Sequence, residues 1–334
     1  MSVVIRPILE PDYKTPATRR ERAPVPDHVW GRLLASGRVV IGGGILALIV
    51  IACLAALPFT LKDKSANGEK NPFYYDQQNS ELTRKSPQLL PISNWFGSDT
   101  LGRSLLSRCL LGGTISLGIG VAAASISVVL GVSVGLLAGY RGGWIDALLM
   151  RTVDVLYGLP YVLLIILMKI ALEPALGKIG LKPVAANLVV LFLAIGLVSW
   201  LTMARVVRGQ VLSLRSQPFI EACQASGLTE WRIFTRHLLP NLIGPISVYA
   251  TLTVPQAILQ ESFLSFLGIG IQPPMPTWGL LASDGLMPAL NPIHHYWYML
   301  LTPCLLLSIT LLSLNFLGDG LRDVFDPKRD AAKV

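Results

Sequence analysis

The chain has 334 residues, of which 52% are hydrophobic and only 14% are charged. A soluble domain carries about 25% charged residues, so this composition excludes a typical soluble domain. The net charge of +8 is not concentrated in a basic cluster on a soluble face, which argues against nucleic-acid binding and favours a positive-inside bias.

Six apolar windows reach the length that crosses a bilayer, which is roughly 20 residues. They cover residues 39–60, 113–138, 147–168, 186–204, 242–266 and 297–316. The sequence therefore predicts an all-α, polytopic membrane protein with six transmembrane helices. The first window is too long for a signal peptide and lacks a small-residue cleavage site, so we interpret it as an uncleaved anchor.

The polar segments divide the chain into five predicted parts. They are a cytoplasmic N-terminal tail (1–38), a first transmembrane helix (39–60), an extracytoplasmic loop (61–112), a five-helix core with a cytoplasmic insert at about 217–241 (113–317), and a cytoplasmic C-terminal tail (318–334). Most Lys and Arg residues fall in the parts assigned to the cytoplasm, and residues 267–296 contain none. This asymmetry predicts that both termini lie in the cytoplasm.

The second window carries Gly131, Gly135 and Gly139 at four-residue spacing. This spacing places all three on one helix face, where small residues let another helix approach closely. We therefore predict that they mark a helix–helix contact and not a binding site.

The third window begins with Arg151 and Asp154, which lie one helical turn apart. An ion pair between them would lower the cost of placing Asp154 at the membrane edge. Pro160 follows and predicts a kink, because proline leaves a backbone carbonyl without its donor. A hinge and ordinary packing are both compatible with this proline.

The polar insert between the fourth and fifth windows is predicted to form two short helices. Pro218 suits a first helical turn, and Gly227 is placed to end the first helix in a left-handed conformation. Thr229 can cap the second helix, on which Trp231 is expected to share a face with Phe234 and Leu238, and Pro240 is predicted to stop it. The pattern alone is equally typical of a plain amphipathic connector.

The insert also contains a recognisable motif. It consists of Glu221, Ala222 and Cys223, followed by Gly227, Ile233, His237, Leu239, Pro240 and Asn241. This order and spacing resembles the EAA loop of permease subunits of ABC importers, most closely those that serve dipeptide and oligopeptide uptake. Cys223 stands where that family usually has alanine.

Three further motifs carry the same resemblance, which covers about residues 95–325. They are Phe96-Gly97-Ser98-Asp99-x2-Gly102-Arg103-x4-Arg108, then Gly139-Tyr140-Arg141-Gly142-Gly143-Trp144-x-Asp146 with Arg151-x2-Asp154, then Glu261-Ser262-x2-Ser265-Phe266-Leu267-Gly268-x-Gly270 with Pro273, Pro274, Trp278 and Gly279. Four motifs in the expected order make the resemblance specific. The longer, more polar segment 61–96 is less typical of the family.

The resemblance implies a permease subunit of a type I ABC importer with MetI-like architecture, located in the bacterial inner membrane. Such a subunit forms half of a channel, and a second homologous permease forms the other half. Two ATP-binding cassette subunits would hydrolyse ATP with Mg, and an extracytoplasmic binding protein would deliver a peptide. The chain has no G-x-x-x-x-G-K-[ST] motif, so we expect it to bind no cofactor or metal and to be no enzyme.

In this family the first helix of the EAA loop docks into a cleft on an ATPase subunit. Carried onto this chain, residues 219–226 would form that coupling helix, beginning at Phe219. Glu221 would contact the ATPase, and Ala222 and Cys223 would permit close docking. Gly227 would set the angle to the second helix, which holds the rest of the motif.

The fifth window contains Glu261, with Gln256 and Gln260 nearby. A carboxylate in the hydrocarbon costs a few kcal/mol or more, so it is a functional candidate by default. One interpretation places these three residues on the translocation path or at an outer gate. The other is a buried carboxylate that accepts hydrogen bonds from neighbouring helices or from the partner permease.

Two other classes of function fit the sequence less well. A secondary transporter driven by an ion gradient would show inverted repeats and midplane carboxylates, yet no repeat is visible and intramembrane acids are few. An intramembrane enzyme would need a buried nucleophile–base pair or two facing aspartates. No predicted span contains a histidine, and Asp154 is the only aspartate near a span interior.

Overall fold

The computed structural model describes residues 31, 33–34, 36–63, 70–178 and 180–325. The helices of this part are α1 (Gly37–Thr60), α2 (Leu105–Arg141), α3 (Gly143–Tyr157), α4 (Tyr161–Lys178), α5 (Pro183–Arg215), α6 (Pro218–Ala225), α7 (Glu230–Ile233), α8 (Leu239–Phe266), α9 (Trp278–Ala289) and α10 (Trp297–Phe325). No β-strand occurs among these residues, and the predicted all-α class is confirmed. Most of the predicted N-terminal tail and residues 326–334 of the C-terminal tail lie outside the described residues.

Five helices are long and apolar enough to cross a bilayer. They are α1, α2, α5, the helix that runs from Glu230 to Phe266, and α10. The predicted third span is not one helix, because α3 and α4 meet at an angle of 95°. Pro160 sits in the break, immediately before α4, so the kink that it predicts is a complete interruption. The described residues thus hold five spans, or six if the bent pair counts as one.

The helices α2 and α5 pack against each other along much of their length. Their backbones can approach because Gly131, Gly135 and Gly139 face α5. A methyl group on Gly135 would lie 2.6 Å from the carbonyl oxygen of Ala204, and one on Gly139 would lie 2.8 Å from Val211 Cβ. Any larger side chain on this stripe would force the two helices apart.

The second helix of the cytoplasmic insert does not end at Pro240, contrary to the sequence prediction. The helix α7 passes through a π turn at Phe234–Leu238 directly into α8. Leu239 donates its N–H to the carbonyl of Phe234, five residues back, and this wider turn accommodates the proline ring. The result is one continuous helix of 37 residues from the insert to the far end of the fifth span.

Candidate functional site

The helix α6 lies between two points where the chain changes direction. Pro218 occupies its first turn, and Gly227 follows its end with φ of +71°. Leu228 donates its N–H to the carbonyl of Cys223, 3.2 Å away, which closes the C-terminal turn around Gly227. Glycine adopts this left-handed conformation without steric cost, whereas other residues do so with strain.

The inner face of α6 is anchored by a single fully buried side chain. Ile220 packs in an apolar cluster with Val211 of α5 and Leu242 of α8, and Cys223 lies half-buried beside it. Ile233 of α7 belongs to the same cluster and is also buried. Because the cluster joins α6 to both α5 and α8, a displacement of α6 is transmitted to two spans.

The outer face of α6 is open. Phe219 is 40% exposed, and Glu221 and Ala222 are exposed beside it. Glu221 forms no side-chain hydrogen bond or ion pair with any residue that the structure describes. We call Phe219, Glu221 and Ala222 the outer face of α6.

The second half of the motif divides between core and surface. Leu239 and Pro240 are exposed, and His237 is half-buried with its carbonyl accepting a 2.6 Å hydrogen bond from Asn241 Nδ2. The sequence predicts that Trp231 shares a face with Leu238, but this prediction is wrong. Trp231 is 76% exposed, whereas Leu238 is buried. Its position on the open side of α7 enlarges the apolar surface that the insert presents.

The predicted ion pair between Arg151 and Asp154 does not form. Asp154 instead accepts a 2.8 Å hydrogen bond from Arg205 Nη2 on α5, and the Arg205 guanidinium lies 4.1 Å from the ring centroid of Tyr157. A helix packed alongside offers a better-placed cation than one turn of the same helix. One turn further along α5, Arg208 binds Asp146 through two hydrogen bonds.

The sequence analysis did not single out Arg205 and Arg208. A signal was present, since the two arginines are three residues apart near the end of the fourth window and just before the polar insert. Charges at a membrane edge are costly unless they are paired. Two cations on the same helix face therefore indicate two anions on the neighbouring element.

Glu261 is fully buried and does not face an open path. Its carboxylate accepts hydrogen bonds from Ser265 Oγ at 2.6 Å and from Ser116 Oγ of α2 at 3.3 Å. Ser116 also accepts the backbone N–H of Trp278 at the start of α9, so Glu261 joins three helices. Of the two interpretations of the sequence, this geometry fits the buried carboxylate.

The predicted polar strip on α8 is split between two faces. Gln256 is exposed, whereas Glu261 is fully buried, because residues five apart on an α-helix point about 140° apart. Gln260 is half-buried, and its Oε1 has no hydrogen-bond partner in the described structure. The three residues therefore do not form one polar face, and their place on the translocation path stays a prediction.

The segment that leads into α2 is organised around Asp99. One carboxylate oxygen accepts the backbone N–H groups of Leu101 and Arg103, both at 2.9 Å. The other binds Arg103 Nε at 2.7 Å and Arg108 Nη1 at 2.6 Å. This arrangement explains why the sequence motif places one aspartate before two arginines.

Charge in this cluster shifts the acidity of two carboxyl groups. Burial favours the neutral form of Asp99, but the guanidinium groups of Arg108 and Arg103 outweigh it and hold the pKa of Asp99 below its usual value. Burial raises the pKa of Asp284 on α9, even though Arg108 Nη2 lies 3.8 Å from its Oδ2. The cluster thus ties the extracytoplasmic loop of the predicted topology to α2 and α9.

Chemistry at a metal has no support in the part of the chain that is described, which contains no group of three His, Cys, Asp or Glu side chains placed to hold an ion. The geometry of the polar insert is that of a surface helix, α6, packed through Ile220 against α5 and α8.

Comparison with known proteins identifies the family of the chain. Residues 131–331 match the family described as binding-protein-dependent transport system inner membrane component. The chain therefore belongs to this family of transport permease components, which are not enzymes. Its predicted resemblance to the permeases of peptide ABC importers is confirmed by the relatives that follow.

The chain is 45% identical to the dipeptide transport system permease protein DppC of Bacillus subtilis (strain 168), over 72% of this chain and 71% of that protein. It is 44% identical to the oligopeptide transport system permease protein OppC of Escherichia coli (strain K12), over 77% and 79%. The glutathione transport system permease protein GsiD of Pectobacterium atrosepticum is 35% identical over 90% of each chain.

Among solved structures, an inward-facing MetNI methionine ABC transporter chain superposes with a TM-score of 0.52. The alignment covers 64% of this chain and 94% of that chain, at 20% sequence identity. A likeness at this identity concerns the fold alone, and it confirms the predicted MetI-like architecture of a type I importer permease.

Proposed function

We propose that this chain is the permease subunit of an ATP-driven importer of peptides and that α6 couples it to an ATPase subunit. The observation that carries the coupling is the two-sidedness of α6. Ile220 fixes one side to the spans, while Phe219, Glu221 and Ala222 leave the other side open.

The proposed mechanism converts ATPase closure into helix movement. Closure of two ATPase subunits moves α6, and the cluster around Ile220 passes the movement to α5 and α8. Gly227 allows α6 and α7 to hold a fixed angle, and α2 follows α5 through the glycine stripe. Small rigid-body displacements of this kind are amplified when packed helices have two alternative arrangements.

The complete transporter needs parts that this chain lacks. A second homologous permease would supply the other half of the channel, and two ATP-binding cassette subunits would hydrolyse ATP with Mg. An extracytoplasmic binding protein would deliver the peptide. In this assembly both termini and α6 lie in the cytoplasm, and the chain itself binds no cofactor.

The test of coupling uses Glu221→Ala and Gly227→Pro in the complete transporter in proteoliposomes. Both variants are expected to insert and stay folded while ATP-dependent uptake and co-purification of the ATPase fall at least several-fold. Arg232→Ala is the matched control, since Arg232 is exposed on α7 next to the proposed joint. Normal uptake by both test variants would reject the coupling role.

The test of the energy source compares ATP with ion gradients. Uptake is expected only with ATP inside the vesicle and both ATPase subunits present. Uptake driven by a proton or sodium gradient without any ATPase would instead identify a secondary transporter.

The substrate class is proposed from the printed names of the relatives, which include dipeptide, oligopeptide and glutathione systems. Uptake of labelled dialanine is expected to be inhibited by unlabelled di- to pentapeptides and not by free alanine. Inhibition by free alanine alone would argue for an amino acid importer.

A further inference from the structure

A cavity of about 180 Å³ lies between the end of α4, the start of α5 and the segment that follows α8. Three of its lining side chains are polar, namely Glu173, Asn187 and Gln272. The remaining walls are apolar and include Val184 and Ile271. Of the lining residues, only Pro273 belongs to a motif on which the family resemblance rests, and none lies in the polar insert at 217–241.

Asn187 is the residue that marks this cavity as more than a packing gap. It is only 5% exposed, and its Oδ1 is buried without a hydrogen-bond partner. An amide oxygen left unpaired in the interior is costly, so buried amides in proteins are nearly always satisfied. Asn187 Oδ1 therefore lacks a hydrogen-bond donor, and it lies on the wall of a cavity large enough to hold a group that donates one.

The other two polar side chains also present acceptors. Glu173 makes no hydrogen bond or close ion pair with the described residues, although Lys169 lies near enough to act on it. Lys169 Nζ instead donates to the carbonyls of Ile269 and Gly270, at 2.6 and 3.1 Å, and so fixes the wall of the cavity. Gln272 donates its amide N–H to Gly268 O, which leaves its own carbonyl oxygen free.

Three acceptor oxygens without a hydrogen-bond partner in the described structure, one of them a carboxylate, favour a ligand rich in donors and positive in charge. A primary ammonium carries three N–H donors, which match the three oxygens in number. A divalent metal ion is a poorer match, because one carboxylate is too little for Ca²⁺, which takes 6–8 oxygen ligands. The described residues also contain no cluster of metal-binding side chains.

The size of the cavity limits how much of a ligand it holds. Pockets that bury a whole drug-sized molecule measure about 300–1,000 Å³, so a cavity of about 180 Å³ holds only one end of a longer molecule. Its apolar walls suit the first side chain of a peptide, next to the ammonium group. We propose that this cavity is a binding subsite for the α-ammonium group of a peptide, with Glu173 as counter-ion and Asn187 as the buried acceptor.

This proposal rests on the proposed peptide substrate and adds a recognition point inside the permease itself. In the predicted topology, the cavity opens at the extracytoplasmic end of α4 and α5. A peptide released into the channel would meet this subsite before it passed between the two permeases.

The experiment places a cysteine at Val184, which is 37% exposed on the wall of the cavity. The full-length Val184→Cys chain in lipid nanodiscs is labelled with a cationic and an anionic methanethiosulfonate of matched size, and the chain without this cysteine gives the background. The cationic reagent is expected to react about tenfold faster, through its attraction to Glu173. Millimolar trialanine is expected to slow labelling several-fold, whereas N-acetyl-trialanine should not.

Two variants separate the charge from the buried acceptor. Glu173→Gln in the same background is expected to abolish the preference for the cationic reagent and the protection by trialanine. Asn187→Leu should keep the preference for the cation and lose the protection. The control Glu81→Gln removes a similar charge from an exposed position in the loop before α2 and should change neither.

Equal labelling by both reagents, or equal protection by the acetylated peptide, would overturn the subsite. Because labelling needs neither ATP nor partner subunits, its outcome does not depend on the coupling mechanism. Protection without ATP-dependent uptake would reject the proposed function and leave the subsite standing. ATP-dependent peptide uptake without protection by trialanine would reject the subsite and leave the proposed function standing.

Discussion

Arg208 of α5 donates two hydrogen bonds to Asp146 of α3, from Nε to Oδ1 over 2.5 Å and from Nη2 to Oδ2 over 2.6 Å. This two-pronged geometry is the strong form of a charge-assisted hydrogen bond. Together with the pair between Arg205 and Asp154, it fastens α3 to the last turns of α5. The helix α6 begins three residues after the end of α5.

Arg208→Ala is expected to lower the free energy of unfolding by about 1–2 kcal/mol, because a charge-assisted pair is lost from a partly exposed site. Transport should fall as well, since α3 would no longer follow α5. Thermal unfolding in detergent and ATP-dependent uptake measure the two effects. The control is Arg151→Ala, which removes an exposed arginine that forms no ion pair in the described structure and should change neither.

Gly135→Val is expected to lower stability by roughly 1–3 kcal/mol, because the side chain would overlap Ala204 O and Val207 on α5. Gly118 lies on the same helix, and a methyl group there would have nothing within 4 Å. Gly118→Ala should therefore leave the unfolding temperature unchanged or raise it. A comparable loss in both variants would show that the loss at Gly135 does not come from the α2–α5 contact.

The pKa of Asp99 predicts an acid-sensitive stability. Because the folded pKa is lower than the unfolded one, the carboxylate stabilises the fold fully above a pH of about 4 and loses that contribution as pH falls through the folded value. Asp99→Ala should cost roughly 3–5 kcal/mol at neutral pH, since it leaves buried Arg108 without its closest anion.

The measurement for Asp99 is the unfolding temperature as a function of pH. The wild-type protein should lose stability below pH of about 4 more steeply than Asp99→Asn. Asp63→Asn, at an exposed position of the same loop, should follow the wild-type curve. A curve for Asp99→Asn that matches the wild type would contradict the role of the cluster.

Glu261→Gln is expected to keep both stability and transport, because the amide fills the same space and still accepts a hydrogen bond from Ser116 or Ser265. Glu261→Ala should lose about 2–5 kcal/mol, through the cavity and the serine hydroxyls left unpaired. Uptake and thermal unfolding of the two variants provide the comparison. Loss of transport by a fully stable Glu261→Gln protein would return this residue to the translocation path.

Local features of the fold were readable from the sequence because they depend on neighbouring residues. Pro218 marks the start of α6 and Gly227 marks its end, because each residue has its own backbone preference. The apolar windows located the spans for the same reason. The prediction that Pro240 ends the helix was wrong. The π turn before Pro240 accommodates the proline ring, and the preferences of single residues do not predict such a turn.

Contacts between distant segments were not readable in the same way. Asp154 pairs with Arg205 and not with Arg151 because α3 packs alongside α5, and this packing depends on the tertiary structure. Glu173, Asn187 and Gln272 are nearly 100 residues apart at their extremes, and none has a distinctive motif. Their shared cavity appears only when the loop after α8 is fixed against α4.

The unbroken helix from Glu230 to Phe266 has a mechanical consequence. At 1.5 Å per residue, its 37 residues form a rod about 55 Å long. If the rod pivots near one end, a tilt of about 3° moves the other end by about 3 Å, on the scale of a hydrogen bond. In the proposed mechanism this helix acts as a lever, in which a small displacement of its cytoplasmic end changes the contacts at its extracytoplasmic end.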